Sequence, residues 1–185
     1  METPSPHPSL IPVFSPEALA ARVLELGQRI RDDYQALLTV EEPLLVIGIL
    51  NGAFIFLADL VRAIDLPLEI DFIRLSSYQE ETQSSQHVVM LKSLEKEVGG
   101  RHVLVVEDIV DCGLTLAWLL EFLGSKGPKS LKVAVAISKL ERRQNNLSLD
   151  YVGFELEEGF LVGYGLDYAH MYRHLPGIHK LRLGS

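Results

Sequence analysis

The stretch VLVVEDIVDCGLTL, Val103 to Leu116, decides how this chain is read. Val103 to Val106 reads as a strand buried on both faces, Gly113 as a turn, and Leu114 onward as a helix. Glu107, Asp108 and Asp111 stand between strand and helix. A helix N-terminus fed by a glycine turn favours an anion, through its free N–H groups and its dipole. Acids crowded beside such a site need a second kind of partner. Adjacent strand residues point to opposite faces, so Glu107 and Asp108 can serve one ligand only where the strand has ended. A carboxylate pair suits a vicinal diol, each acid accepting from one hydroxyl. The backbone N–H groups, glycine and threonine hydroxyl of DCGLT, Asp111 to Thr115, suit a phosphate. Diol acceptors beside a phosphate cradle describe a ribose 5-phosphate. The blander alternative is a strand-to-helix turn whose acids only cap the helix.

Outward from this stretch, the chain alternates strand and helix. Pro16 to about Leu38 reads as a helix, with Ser15 as N-cap and Pro16 at the first helical position. PLLVIGIL, Pro43 to Leu50, reads as another fully buried strand. Asn51-Gly52 turns it into a helix on which Phe54, Leu57, Ala58 and Val61 form one stripe. Ile55, Phe56 and Leu60 make the opposite face apolar too, so this helix is either central or part of a subunit interface. Leu68 to Leu75 alternates as a half-buried strand does, and HVVML reads as a short strand. Between them SSYQEETQSSQ, Ser76 to Gln86, is polar apart from one tyrosine and reads as a mobile loop. Leu131 to Ile137, DYVGFEL and FLVGYGL complete the strands. The pattern predicts an α/β fold with a mainly parallel sheet in a single domain spanning 1–185. Ligands of such folds sit at the carboxyl ends of strands, which here are Leu50-Asn51-Gly52, Glu107 to Thr115, and Ser138-Lys139.

Composition narrows the function classes. The 185 residues carry a formal net charge of −8, which argues against a general nucleic-acid surface. An anionic small molecule remains open, held by local N–H groups and a divalent cation. A single cysteine, Cys112, leaves no intramolecular disulfide and no cysteine-cluster metal site. Residues 1–14 are proline-broken and without Lys or Arg, a loose N-terminal arm rather than a secretory signal. No apolar run is long enough to span a bilayer, so a cytoplasmic protein is expected. The G-x-x-x-x-G-K-[ST] loop is absent and no G-x-G-x-x-G follows a strand, so any phosphate is held by another geometry.

The stretch GRHVLVVEDIVDCGLTL, Gly100 to Leu116, resembles the phosphoribosyl-diphosphate-binding motif of type I phosphoribosyltransferases. The resemblance extends from about Val46 to Arg173, through GILNGAFIFLADLVRAI, DFIRLSSY, DYVGFELEEGFLVGYGLDY and YRHLP, and is nearest to the bacterial hypoxanthine-guanine phosphoribosyltransferases. It implies a parallel sheet flanked by helices, a small hood subdomain and a flexible active-site loop containing Ser77 and Tyr78. It implies an enzyme joining a 6-oxopurine to phosphoribosyl diphosphate with Mg²⁺, working as a homodimer or homotetramer. Glu107 and Asp108 would bind the ribose hydroxyls beside Mg²⁺, and Asp111 would handle the proton at purine N7. Cys112, Gly113, Leu114 and Thr115 would cradle the 5-phosphate. Leu50, Asn51 and Gly52 would form a pyrophosphate loop carrying a non-proline cis peptide, and Arg173 would meet pyrophosphate. Lys139 would donate to the 6-oxo group, Phe160 would stack on the purine, and the Leu161 backbone would read its edge. Lys139 and Asp111 would grip the purine from opposite edges. Asp167, on the purine side, would hold a second Mg²⁺.

Two positions depart from the family pattern. The family often has Lys or Arg at Asn51 and usually Thr at Cys112. A regulatory protein on the same fold, binding nucleotide or RNA, is the rival reading. The acidic balance argues against RNA, and the presence of Asp111, Lys139 and Asp167 together argues for an enzyme.

Overall fold

The computed structural model describes residues 9–78, 87–140 and 147–182. At its centre, β2 (Leu44–Leu50) and β5 (His102–Val110) run parallel, with Val46 opposite Leu104 and Gly48 opposite Val106. Both strands are apolar on both faces because both faces are covered. Val46, Leu104 and Val106 pack with Leu26 and Ile30 of α1 (Pro16–Tyr34) and with Phe56 and Leu60 of α2 (Phe54–Ile64). Leu45, Ile47, Val103 and Val105 pack with Leu116, Leu119 and Leu123 of α3 (Leu114–Gly124).

Four more strands extend the sheet: β3 (Leu68–Tyr78), β4 (His87–Lys92), β6 (Ser130–Lys139) and β7 (Tyr151–Leu156). The spatial order is β4-β3-β2-β5-β6-β7, all parallel except β4 on β3. The chain therefore leaves β2 in one direction and β5 in the other. The crevice where these directions part is the usual ligand site of an open α/β sheet. A second, antiparallel sheet has the order β1-β9-β8, formed by Ser9–Phe14, Ile178–Arg182 and Leu161–Val162.

Several expectations are corrected. Residues 9–14, read as part of a loose arm, form β1, with Leu10 opposite Leu181 and the Phe14 ring stacked on Phe154. Pro12 is tolerated because β1 is an edge strand. α1 ends at Tyr34, short of Leu38. The inward stripe of α2 is Phe56, Leu57, Leu60 and Ile64, while Phe54 is 44% exposed. Ser76, Ser77 and Tyr78, read as loop, continue β3 and pair with Val89, Val88 and His87. The rest of that proposed loop, 79–86, lies outside the described residues.

One buried carboxylate holds the sheet to the segment after β4. Asp71 on β3 accepts from the N–H groups of Phe72 (2.7 Å), Glu95 (2.7 Å) and Lys96 (2.8 Å), with the Lys92 ammonium 3.7 Å away. Burial acts to raise its pKa, but the three N–H bonds and Lys92 outweigh burial and hold it below the ordinary value. A depressed carboxyl contributes stability above its unfolded pKa and loses it as pH falls through the lower folded value. Asp71→Asn points an amide NH₂ at N–H donors and should cost about 2–3 kcal/mol at neutral pH. Urea denaturation should show the gap from wild type closing as pH falls below about 4. A gap independent of pH would contradict the charged role of Asp71.

Candidate active site

The pairing of β2 with β5 runs only as far as Gly48 and Val106. β5 itself continues to Val110, paired on its other side with β6 (Ile109 opposite Ile137, Val110 opposite Ser138). Its edge toward β2 is thus open from Glu107 onward. This corrects the expectation that the strand ends before the acids. Glu107 and Asp108 are strand residues, and they reach one crevice because β2, though it runs on to Leu50 beside β3, parts from β5 after Gly48. The Glu107 carboxylate accepts from the Asp108 N–H (3.1 Å), and the Asp108 carboxylate from the Ile109 N–H (2.9 Å). Burial pushes the Glu107 carboxyl well above its usual range, and the neighbouring Asp108 carboxylate adds to the push.

Beyond Val110 the chain turns. Gly113, at φ 78°, takes a left-handed conformation that glycine adopts without a Cβ clash, and stands as N-cap of α3. The first N–H groups of α3, from Leu114 on, have no acceptor within the helix. A cavity of about 280 Å³ is lined here by Glu107, Asp108, Asp111, Cys112, Gly113 and Thr115. So the acids and the anion-type turn share one crevice at the carboxyl end of β5.

The loop after β2 closes the other side. Its Leu50–Asn51 peptide bond is cis. Gly52 lies against Asp108, and a Cβ on Gly52 would stand 1.6 Å from Asp108 Oδ2. Lys139, the last residue of β6, is 3.7 Å from Asp111, with its side chain 16% exposed. That spacing does not fit groups gripping opposite edges of a ring. It fits neighbouring atoms on one edge, as N7 and the 6-oxo group of a purine are.

The remaining predicted residues, Phe160, Leu161, Asp167 and Arg173, lie on the segment that runs from just before β8 to beyond it and do not line the cavity at the end of β5. Leu161 is buried on β8, and Phe160 before it is 51% exposed, its ring edge-on to Tyr168 at 5.4 Å. Asp167 pairs with Arg173 at 2.7 Å and accepts from the His170 N–H at 2.8 Å. Arg173 also donates to the Gly165 carbonyl at 2.6 Å. Sequence reasoning missed what joins this segment to the loop after β2 and to α2: Gly165 against the Gly52 carbonyl, and the Tyr164 hydroxyl on Asp59. The available signal was VGYGLD, two glycines flanking a buried tyrosine.

Among the described residues, no three His, Cys, Asp or Glu side chains converge as a metal cluster. Paired carboxylates such as Glu107 and Asp108 are hard oxygen donors, which suit Mg²⁺, and Mg²⁺ commonly completes its shell with water and substrate phosphate. Each oxygen of Asp167 has one N–H donor and a second lone pair to spare. The donor set fits a magnesium ion that arrives with a diphosphate.

Known proteins resemble the chain over most of its length. Residues 17–169 match the phosphoribosyl transferase domain model. The chain belongs to the phosphoribosyltransferase family. It is 45% identical over 170 residues to the hypoxanthine-guanine phosphoribosyltransferase of Mycobacterium avium, covering 91% of this chain and 84% of that one. It is 40% identical over 174 residues to the hypoxanthine phosphoribosyltransferase of Escherichia coli K12, covering 94% and 96%. A solved structure of the hypoxanthine phosphoribosyltransferase of Trypanosoma cruzi superposes with a TM-score of 0.88 at 41% identity, covering 92% of this chain and 90% of that chain.

The Gly52 contact generates a test that needs no substrate. Gly52→Ala should leave the fold intact, because the obstructing atoms belong to a side chain. Asp108 must then retreat by more than about 1 Å to restore van der Waals distance. A crystal structure of the variant with Asp108 unmoved would contradict this packing.

Proposed function

We propose that this protein is a hypoxanthine-guanine phosphoribosyltransferase, a purine-salvage enzyme that acts in the cytoplasm as a single domain. Its substrates are phosphoribosyl diphosphate and a 6-oxopurine, and its products are IMP or GMP and pyrophosphate. The observation that carries the reading is the position of Asp111. It stands at the turn opening α3 and also 3.7 Å from Lys139 on β6, so one residue borders both an anion site and a fixed cation.

In this reading, the N–H groups and hydroxyl of Cys112 to Thr115 bind the 5-phosphate, while Glu107 and Asp108 accept from the ribose hydroxyls. Lys139 donates to the purine 6-oxo group, which an adenine amino group cannot accept. The Phe160 ring, exposed and edge-buttressed by Tyr168, offers a stacking face. The Leu161 backbone reads the purine edge. Leu50 to Gly52 and Arg173 bind the leaving diphosphate, and Ser77 and Tyr78 belong to a segment that covers the site. The bond from ribose C1 to the diphosphate oxygen breaks, a bond from C1 to the purine nitrogen forms, and the purine proton passes to Asp111. Glu107 and Asp108 would hold one Mg²⁺ and Asp167 a second, each completed by substrate oxygens, and the metal would supply charge neutralisation for the leaving group. Assembly as a homodimer or homotetramer completes the proposal.

Incubation with phosphoribosyl diphosphate, Mg²⁺ and each of hypoxanthine, guanine, xanthine and adenine tests the reading. Nucleotide and pyrophosphate should appear in equal amounts with a 6-oxopurine, and adenine should be a poor substrate. Absence of product with every 6-oxopurine would overturn it. Asp111→Asn should bind phosphoribosyl diphosphate normally and lose about 10²–10⁴-fold in kcat, since an amide cannot take the proton. Near wild-type turnover would remove Asp111 from that role.

A further inference from the structure

Helix α2 is connected to the candidate site twice. Its first residues follow directly from the Leu50-Asn51-Gly52 loop. One turn further on, Asp59 accepts a hydrogen bond from the Tyr164 hydroxyl at 2.7 Å. Tyr164 is 6% exposed, and its φ of 51° lies in the left-handed region that side-chain-bearing residues seldom adopt. Such a residue persists where its surroundings hold it. Here they do: its N–H donates to the Leu175 carbonyl at 2.8 Å, and its hydroxyl is fixed by Asp59.

The next residue carries the connection back. Gly165, at φ 99°, lies so close to the Gly52 carbonyl that a Cβ would stand 2.1 Å from that oxygen. Its N–H donates to the Arg173 carbonyl at 3.0 Å, its carbonyl accepts from the Arg173 guanidinium, and Arg173 in turn holds Asp167. Gly52, α2, Asp59, Tyr164 and Gly165 thus form a closed circuit. On the purine side, Leu161 has its own tie, pairing with Lys180 of β9, while Phe160 rests on Tyr168, the residue after Asp167.

We infer that the Tyr164–Asp59 hydrogen bond is a positioning device for the diphosphate end of the site. It fixes Arg173, read as the residue that meets diphosphate, against the Gly52 loop through Gly165, and touches no substrate itself. The inference rests on the phosphoribosyltransferase reading above. Burial and the Asp59 carboxylate push the Tyr164 hydroxyl above its ordinary pKa, so it stays a donor at any working pH.

Tyr164→Phe removes the hydroxyl and keeps the ring, so a purely packing role predicts little change. The device predicts a rise of about ten-fold in KM for phosphoribosyl diphosphate, the scale of one lost hydrogen bond to a charged group, with a much smaller rise in KM for hypoxanthine. Calorimetric affinity for phosphoribosyl diphosphate with Mg²⁺ should fall in parallel. Asp59→Ala should reproduce the effect. Asp59→Asn keeps a carbonyl acceptor and should restore near wild-type KM. The Tyr164→Phe, Asp59→Ala double variant should be no worse than either single one. An unchanged KM split in Tyr164→Phe, equal losses for both substrates, or Asp59→Asn behaving as Asp59→Ala would overturn the device. A wild-type protein without turnover would instead overturn the reading on which it rests.

Discussion

The parallel pairing of β2 with β5 stops at Gly48 and Val106, and the candidate site depends on that stop. Had β2 continued alongside β5, the edge at Glu107 to Val110 would be filled by backbone hydrogen bonds. Instead β2 parts from β5 after Gly48 and stays paired with β3 through Leu50, while β5 goes on for four residues supported by β6 alone. Two adjacent carboxylates, which a complete sheet would separate onto opposite faces, can then address one crevice. The absent side chain at Gly52 leaves the space that Asp108 occupies. Strand length, a turn and one glycine together make an acidic crevice beside a helix N-terminus.

The contrast between two kinds of anchoring runs through the site. Asp111, Lys139 and Leu161 are set by the sheets, at the end of β5, the end of β6 and within β8. Asp167 and Arg173 belong to a looped segment with Tyr164, Ala169, His170 and Tyr172 all at positive φ. Within it, two isolated antiparallel bridges, Gly163 with Leu166 and Tyr168 with Met171, give only short local pairing. Its hydrogen bonds to Asp59 and Leu175, and its contact with Gly52, add to that pairing. Asn51 and Cys112, the two departures from the family pattern, sit on the loop after β2 and the turn after β5. Neither belongs to the Asp111–Lys139 pair or the Asp167–Arg173 pair.

The parallel core was legible because PLLVIGIL and VLVV are continuous apolar runs of strand length, as a sheet covered on both faces needs. The site was legible because EDIVDCGLT packs its acids, turn and helix start into nine consecutive residues. β1 was not legible: SLIPVF carries a proline that reads as a break, and only its partner β9, at the other end of the chain, reveals an edge strand. The true end of β5 was hidden because acids at 107 and 108 look like loop, whereas their pairing with β6 is backbone bonding indifferent to side chain. The Lys139–Asp111 spacing and the Tyr164–Asp59 bond were hidden for a third reason. Each joins residues far apart in sequence, and no local pattern records which pairs the sheet order brings together.

The most direct measurement is a crystal structure of the protein with IMP or GMP. The account predicts the 5-phosphate on the N–H groups of Cys112 to Thr115, both ribose hydroxyls on Glu107 and Asp108, and the purine over Phe160 with its 6-oxo group at Lys139 and N7 at Asp111. A nucleotide bound with its phosphate away from that turn, or with its base away from Lys139, would contradict it.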